Sequence, residues 1–373
     1  MGKSRKTDRM YPNAITENGR NILPNGVGIT CKKELPRMEK KARLGFIGLG
    51  TMGCDLLREA CRNPEAEIAA LCDINPQALE KAAGLCAGSP AQYSDHRALI
   101  AQENLDGIVV AVPQHFHAAI SIEALGAGMP VFCEKPMGLS VAECRAMIEA
   151  ARKAEKAIMI GQVLRYIGVY RHVLETVQSG ALGAPFGVRI IRTMGRWGGW
   201  GRPWRLKRET SGGLLMEINA HEIDFMRCIL GEAVSVSAMG KRFCNEENDY
   251  EDLIFAHIAF AGGGMGSLAT AACDHLGRYT GEVFCEKGTV YYDSVAKTIH
   301  IQREGAAQEI IAYDDVHPEW ENGVYREMRE FVETCLGRHP ATISGEDGLR
   351  NVEIAEACYR SIREGRPVLL PME

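Results

Sequence analysis

The chemistry this chain could perform rests on two short stretches. In Cys133-Glu134-Lys135-Pro136, a lysine follows an apolar run that reads as the end of a buried strand. Far upstream, Gly48-Leu49-Gly50-Thr51-Met52-Gly53 opens the series of such strands. A glycine turn alone says only that a phosphate can be held. Followed by a cation at a later strand end, it sets that cation beside a bound nucleotide, and the pairing points to redox chemistry on a hydroxyl. Further along, Glu217 and His221 are four residues apart and Asp224 three beyond, so a continuous helix would carry all three on one face. Such a face can work as an acid–base pair, as a salt bridge or as half of a metal site.

The glycine turn has the spacing of a dinucleotide fingerprint. Gly48 allows the tight turn off the strand, Gly50 lets the backbone approach a pyrophosphate, and Gly53 lets the following helix pack close to the sheet. Phosphates would meet the amide ends of a helix beginning near Met52, with Thr51 and Met52 lining the site. Asp73 ends the second apolar run, twenty residues beyond Gly53. A carboxylate there accepts hydrogen bonds from ribose hydroxyls. A 2′-phosphate ~4 Å away would feel roughly 4 kcal/mol of repulsion per charge at an effective dielectric of ~20. No arginine follows at Ile74 or Asn75, so the expected coenzyme is NAD rather than NADP.

The elements that must position these residues are legible as alternating runs. Strands are expected at 43–47, 67–72, 91–93, 107–112, 130–133 and 157–160, with helices at 52–62, 76–86, 117–127 and 141–156 between them. That alternation is the signature of βαβ units and of a doubly wound parallel sheet, a Rossmann domain over 41–161. From residue 162 to the end the runs become longer and partly alternating, at 186–193, 234–239, 253–261, 265–272, 281–285 and 289–293. They predict an α+β domain built on a large, mostly antiparallel open sheet. Its outer face needs a cover, and a second copy of the chain is the expected one, giving a homo-oligomer.

Bulk properties narrow the partners. With 373 residues, 46% of them hydrophobic and 24% charged, the chain can bury two cores. A net charge of -5 is too small to favour nucleic acid or a membrane surface. Thirteen cysteines without a C-x-x-C read as reduced thiols in a cytoplasmic protein, and no metal site is expected. Residues 1–40 mix charges with Pro12, Gly19 and several asparagines, and they read as a flexible extension or an arm.

These residues, with Val112-Pro113 and His117, Gly161 with Arg165-Tyr166, Ser179-Gly180-Ala181-Leu182-Gly183, Gly212-Gly213 ahead of His221 and Asp224, and Glu364-Gly365-Arg366-Pro367-Val368, resemble the glucose–fructose oxidoreductase/inositol dehydrogenase (Gfo/Idh/MocA) superfamily. The similarity runs from Arg43 to the C-terminus. It implies that Pro113, His117, Glu134 and Lys135 line the coenzyme site, with Lys135 near the nicotinamide and the Lys135–Pro136 bond cis. It also implies that His221 is the general base and that Glu217 orients or helps protonate the site, although the family usually has Asp at that position and Gly where Asn219 stands. Arg165 and Tyr166 would line the cleft or pack between domains. Gly168 stands where relatives commonly carry proline.

Trp197, Trp200 and Trp204 share a loop with several arginines and suit either a sugar face or an oligomer contact. The implied activity is NAD-dependent oxidation of a secondary hydroxyl of a sugar, glycoside or cyclitol, C3 of a glucoside being one form. One alternative is an NAD-recycling enzyme that cleaves glycosides through a transient C3 ketone. A non-catalytic NAD-linked sugar sensor is another, and the presence of both Lys135 and His221 argues against it.

Overall fold

The computed structural model describes residues 40–102, 104–316 and 322–372, together with a short antiparallel pairing of Thr16–Glu17 with Arg20–Asn21. Apart from Lys40, the rest of the expected extension over 1–40 lies outside the described residues. Residues Met1–Glu39 form one compact unit, and Lys40–Glu373 form the other, which holds every element named below.

Six strands, β1 (Ala42–Ile47), β2 (Ala66–Cys72), β3 (Ala91–Tyr93), β4 (Gly107–Val110), β5 (Val131–Glu134) and β6 (Ile158–Gly161), form one sheet in the order β3-β2-β1-β4-β5-β6. Every pairing is parallel. Helices on both faces explain why these strands are nearly continuous apolar runs, with Phe46, Val109 and Phe132 fully buried. The helices are α1 (Thr51–Cys61), α2 (Pro76–Ala83), α3 (His96–Gln102), α4 (His117–Gly126) and α5 (Val141–Ala154). Local chemistry sets several of their starts. Asn75 accepts the Gln77 N–H with Pro76 at the first helical position, and Ser140 accepts the Glu143 N–H. Strand order reverses between β1 and β4, so the carboxyl ends of those two strands flank the crevice where ligands of such sheets bind.

The second half begins with α6 (Gly168–Gln178) and β7 (Pro185–Thr193), then three short helices, α7 (Arg208–Ser211), α8 (Leu214–Glu217) and α9 (Ala220–Leu230). Strands β8 (Ala233–Lys241), β9 (Leu253–Phe260), β10 (Met265–Ala271), β11 (Arg278–Cys285), β12 (Gly288–Asp293), β13 (Thr298–Arg303) and β14 (Glu309–Ala312) come next. Helices α10 (Gly323–Cys335) and α11 (Gly345–Glu364) and the short β15 (Val368–Leu369) close the chain. The nine strands order as β14-β13-β12-β11-β7-β10-β9-β8-β15, antiparallel except for β7 with β10. This is the mostly antiparallel open sheet that the alternating runs predict.

One face of this sheet is covered by α9 and α11, and β9 shows the consequence: Ile254, Ala256, Ile258 and Phe260 are buried while Phe255 and His257 point outward. Helix α11 opens with a capping box between Ser344 and Asp347 and packs on α5 as well. Helix α10 returns to the first sheet, where Phe331 meets Phe132 edge to face at 5.7 Å. Helices α3, α6, α7 and α11 and strands β13, β14 and β15 are additions to the elements read from the sequence.

Candidate active site

At the end of β1 the backbone turns at Gly48 with φ +89, and a Cβ built there would sit 2.7 Å from the Ala111 carbonyl group of the neighbouring strand end. A Cβ on Gly53 would lie 1.9 Å from the Gly48 oxygen. Both positions therefore admit only glycine, as the fingerprint requires. The face of Gly50 is different: no backbone crowds it, and the nearest atoms to a Cβ there belong to the Arg202 side chain at 3.7–4.0 Å. Helix α1 starts here with no side-chain cap on Gly50 and no acid in its first turn, so the amides of Thr51, Met52 and Gly53 present their unpaired positive end to the crevice. These residues fit a dinucleotide pyrophosphate. Asp73 accepts the Leu49 N–H at 2.7 Å and the Asn75 N–H at 2.8 Å, which fixes its carboxylate beside the turn.

The ends of β4 and β5 are tied together by His117. Its buried ring sits 2.9 Å from the Val112 carbonyl oxygen and 2.8 Å from that of Pro136, and burial holds its pKa below the usual histidine range. A neutral ring donates to one of these two oxygens. Pro113 begins the turn that delivers Gln114 and His117. Glu134 is buried, and one of its oxygens accepts the Lys135 N–H at 3.1 Å. Burial raises the pKa of Glu134 and lowers that of Lys135, each opposed by the charge of the other. The Lys135–Pro136 peptide is cis.

Lys135 reaches across to the second half of the molecule, where its ammonium donates to the Glu217 carbonyl oxygen at 2.6 Å. His221 stands one turn further on. Its Nδ1 donates to Gln162 Oε1 at 2.8 Å, and the Gln162 amide is in turn oriented by donation to the Ala220 carbonyl. With Nδ1 carrying the proton, Nε2 keeps its lone pair. Burial first, then the charges of Lys135 and Arg192, hold the His221 pKa well below the usual range, so the ring is neutral and able to accept a proton.

Several expectations change here. No single helix carries Glu217, His221 and Asp224: α8 ends at Glu217, Ile218 stays in the right-handed helical region, and Asn219, with φ −98 and ψ 7, leaves it before α9 begins. The three side chains consequently face different partners. The buried Glu217 carboxylate accepts from Gln114 Nε2 and Arg205 Nη1, so only its backbone meets Lys135. Asp224 is held by Arg165 at 2.6 and 2.7 Å and by Asn351 at 2.9 Å. Arg165, which also bonds Asp347, therefore takes the packing alternative, and the Tyr166 hydroxyl pairs with Thr342. Trp197 is buried with its carbonyl bonded by Asn245, whereas Trp200 is exposed, and Arg205 lies 4.7 Å from the rings of both Trp200 and Trp204.

Gln114, Gln162 and Arg192 belong to the site and were not foreseen. Arg192 on β7 is bound to the fully buried Glu222, which also accepts from Tyr279 and Asn219. An arginine at an ordinary strand position and a glutamine after a strand carry no sequence signal of their own. Among the described residues, Cys244, Asp252 and Cys273 bring three ligand-type atoms within 4.8 Å of one another. The Asp252 oxygens already accept the N–H groups of Phe243, Cys244 and Asn245, which is the work of a loop anchor.

The model of an oxidoreductase family, NAD-binding Rossmann fold, matches residues 42–162, and that of the same family's C-terminal alpha/beta domain matches residues 175–370. The chain belongs to the Gfo/Idh/MocA oxidoreductase family. It is 27% identical over 335 residues to the myo-inositol 2-dehydrogenase of Thermotoga maritima, covering 88% of this chain and 98% of that protein. To the D-apiose dehydrogenase of Paraburkholderia graminis it is 28% identical over 352 residues, covering 89% and 90%. The WlbA dehydrogenase of Bordetella pertussis, solved with NADH and UDP-GlcNAcA, shares the fold with a TM-score of 0.79 at 24% identity, over 90% of this chain and 100% of that one. In Gfo/Idh/MocA terms, Lys135 falls in the first matched segment and His221 in the second, so the site draws on both.

Proposed function

We propose that this family member oxidises a secondary hydroxyl of a sugar, glycoside or cyclitol, with NAD as hydride acceptor. The observation that carries the reading is the convergence of a part-buried ammonium and a neutral, tautomer-fixed imidazole, near enough for the charge of the first to lower the pKa of the second. A bound nicotinamide supplies the place to which the carbon-bound hydrogen leaves as hydride. Lys135 holds the substrate oxygen and stabilises charge developing on it. His221 Nε2 takes the hydroxyl proton. Glu217 keeps Gln114 and Arg205 in position, and its carbonyl aims Lys135. The substrate class is supported by what the relatives' names state, inositol in one and apiose in another. The reading includes a cytoplasmic setting, which buried free thiols such as Cys133, Cys144 and Cys358 suit.

The deciding experiment is a panel of inositols, free sugars and glycosides, followed for NADH absorbance and for sugar release. NADH formed in step with substrate loss is the expected result. Aglycone release without net NADH would transfer the assignment to the glycoside-cleaving alternative, and no turnover of any polyol would sink it.

Coenzyme choice is a separate expectation. Asp73 is fixed by two backbone donors beside the turn, and its charge opposes a 2′-phosphate. NADH should bind tighter than NADPH by about two to three decades, and Asp73→Ser should shrink that ratio. Equal affinities measured by fluorescence titration would remove the argument.

We also propose that a second copy covers the outer face of the large sheet. Met239 opposes Phe255, Phe255 opposes Ala269 and Ala269 opposes Ile191, so an apolar row crosses four strands with Phe255 51% and Met239 78% exposed. Sedimentation should return a dimer or tetramer, and a monomer at micromolar concentration would contradict this.

A further inference from the structure

The loop between β7 and α7 makes an unusual backbone excursion. Gly199, Trp200 and Gly201 are all left-handed, with φ of 59, 50 and 69. For tryptophan that region is disfavoured, and such a residue persists only where its surroundings over-determine it. Here they do: Trp200 packs edge to face on the buried Trp197 at 4.9 Å and against the Arg205 guanidinium at 4.7 Å. Gly199 is needed as well, because a Cβ there would press on Arg205 and Leu206 at 3.2 and 3.3 Å. The curl returns the chain to an extended Arg202, with φ −113 and ψ 103, followed by Pro203.

Arg202 points at the other half of the molecule. Its Nη2 donates to the Thr51 hydroxyl at 3.4 Å, and its guanidinium covers the open face of Gly50. Among the described residues, no carboxylate is paired with it. This placement sets a full positive charge against the positive end of α1, which has no acid in its first turn. Two like charges facing each other across a glycine are unfavourable unless an anion lies between them. The Rossmann turn supplies the identity of that anion.

We propose that Arg202 is a coenzyme-positioning residue, its guanidinium pairing with the dinucleotide pyrophosphate from the side opposite the α1 amides. The proposal rests on the coenzyme reading above and adds a contact that the glycine fingerprint does not contain. The pyrophosphate would be held between backbone amides of one domain and a planar fork of the other, which suits bidentate recognition of phosphate oxygens. Binding the coenzyme would then also fasten the tryptophan loop, whose Arg205 reaches Glu217 next to Lys135.

The test is titration of the full chain and its Arg202→Ala, Arg202→Gln and Arg202→Lys variants with NADH and with ADP-ribose, which retains the pyrophosphate but has no nicotinamide. Each titration is run at low and high salt, with circular dichroism to check folding. Expected are about ten- to hundredfold weaker binding of both ligands to the Ala and Gln variants, a partial loss in the Lys variant, and a shallower salt dependence wherever the charge is gone. Unchanged ADP-ribose affinity in a folded Ala or Gln variant would overturn the role of Arg202. A loss for NADH with none for ADP-ribose would overturn it too, by moving the contact to the nicotinamide end. If the unmodified chain binds neither ligand, the coenzyme reading itself falls, which separates the two failures.

Discussion

Lys135→Met should lower kcat by about 10²- to 10³-fold, the loss that accompanies removal of one donor aimed at a developing oxyanion. NADH affinity should stay within a few-fold of the parent chain, because the glycine turn and the α1 amides that would hold the phosphates are untouched. The side chain is long, half-buried and directed by one bond, from its ammonium to the Glu217 carbonyl. Methionine keeps most of its length and apolar contact, so the variant isolates the charge. Glu134 should respond as well. Its carboxylate is raised by burial and lowered by Lys135, so without the ammonium it will hold its proton to higher pH. A steady-state comparison with a competent polyol, together with NADH titration of both proteins, checks this. Undiminished turnover would remove Lys135 from the reaction, and a matching loss of NADH binding would make it a coenzyme ligand only.

How much of this molecule is legible in its sequence depends on how local each cause is. The parallel sheet is legible because each buried strand is a nearly unbroken apolar run between helices, and the turn because the Gly53 contact with the Gly48 oxygen is made within a few residues of the strand end. Helix α3 is hard to read since His96-Arg97 at its start looks like loop, and β14 and β15 because short edge strands have little pattern. The error over Glu217, His221 and Asp224 has a different origin. Spacing of four and three is correct for one helical face, but Asn219 departs from the helix and sends Glu217 toward Arg205 instead. Asn219 is only a weak signal of the break, whose geometry is stabilised by Gln114 and Arg205, one from the other half of the molecule and one from the tryptophan loop. Gln162 and Arg192 carry no such signal, since each acquires meaning only from a partner distant in sequence, and Arg202 is legible as a loop arginine but not as a neighbour of Gly50.

His221→Asn should cost about 10²- to 10⁴-fold in kcat, the usual worth of a positioned general base, and Gln162→Glu tests why the ring works. In the parent chain Gln162 accepts the Nδ1 proton at 2.8 Å, and burial with the nearby Lys135 and Arg192 charges keeps the imidazolium disfavoured. His221 is therefore already neutral at pH 6.5, and activity should be lost on the acid side only as pH falls through its depressed pKa. The alkaline limb should come from Lys135, whose pKa lies below that of an ordinary lysine. A carboxylate in place of the Gln162 amide favours the imidazolium and should raise the His221 pKa by about 1–3 units. The acid limb of kcat/KM then moves to higher pH by the same amount, while the alkaline limb shifts less and also upward, because the new negative charge lies further from the ammonium. A merely structural Gln162 would lower activity at every pH without moving either limb. If the acid limb stays fixed in Gln162→Glu, the proton is taken by a group other than His221, and the pairing of this imidazole with Lys135 loses its catalytic meaning.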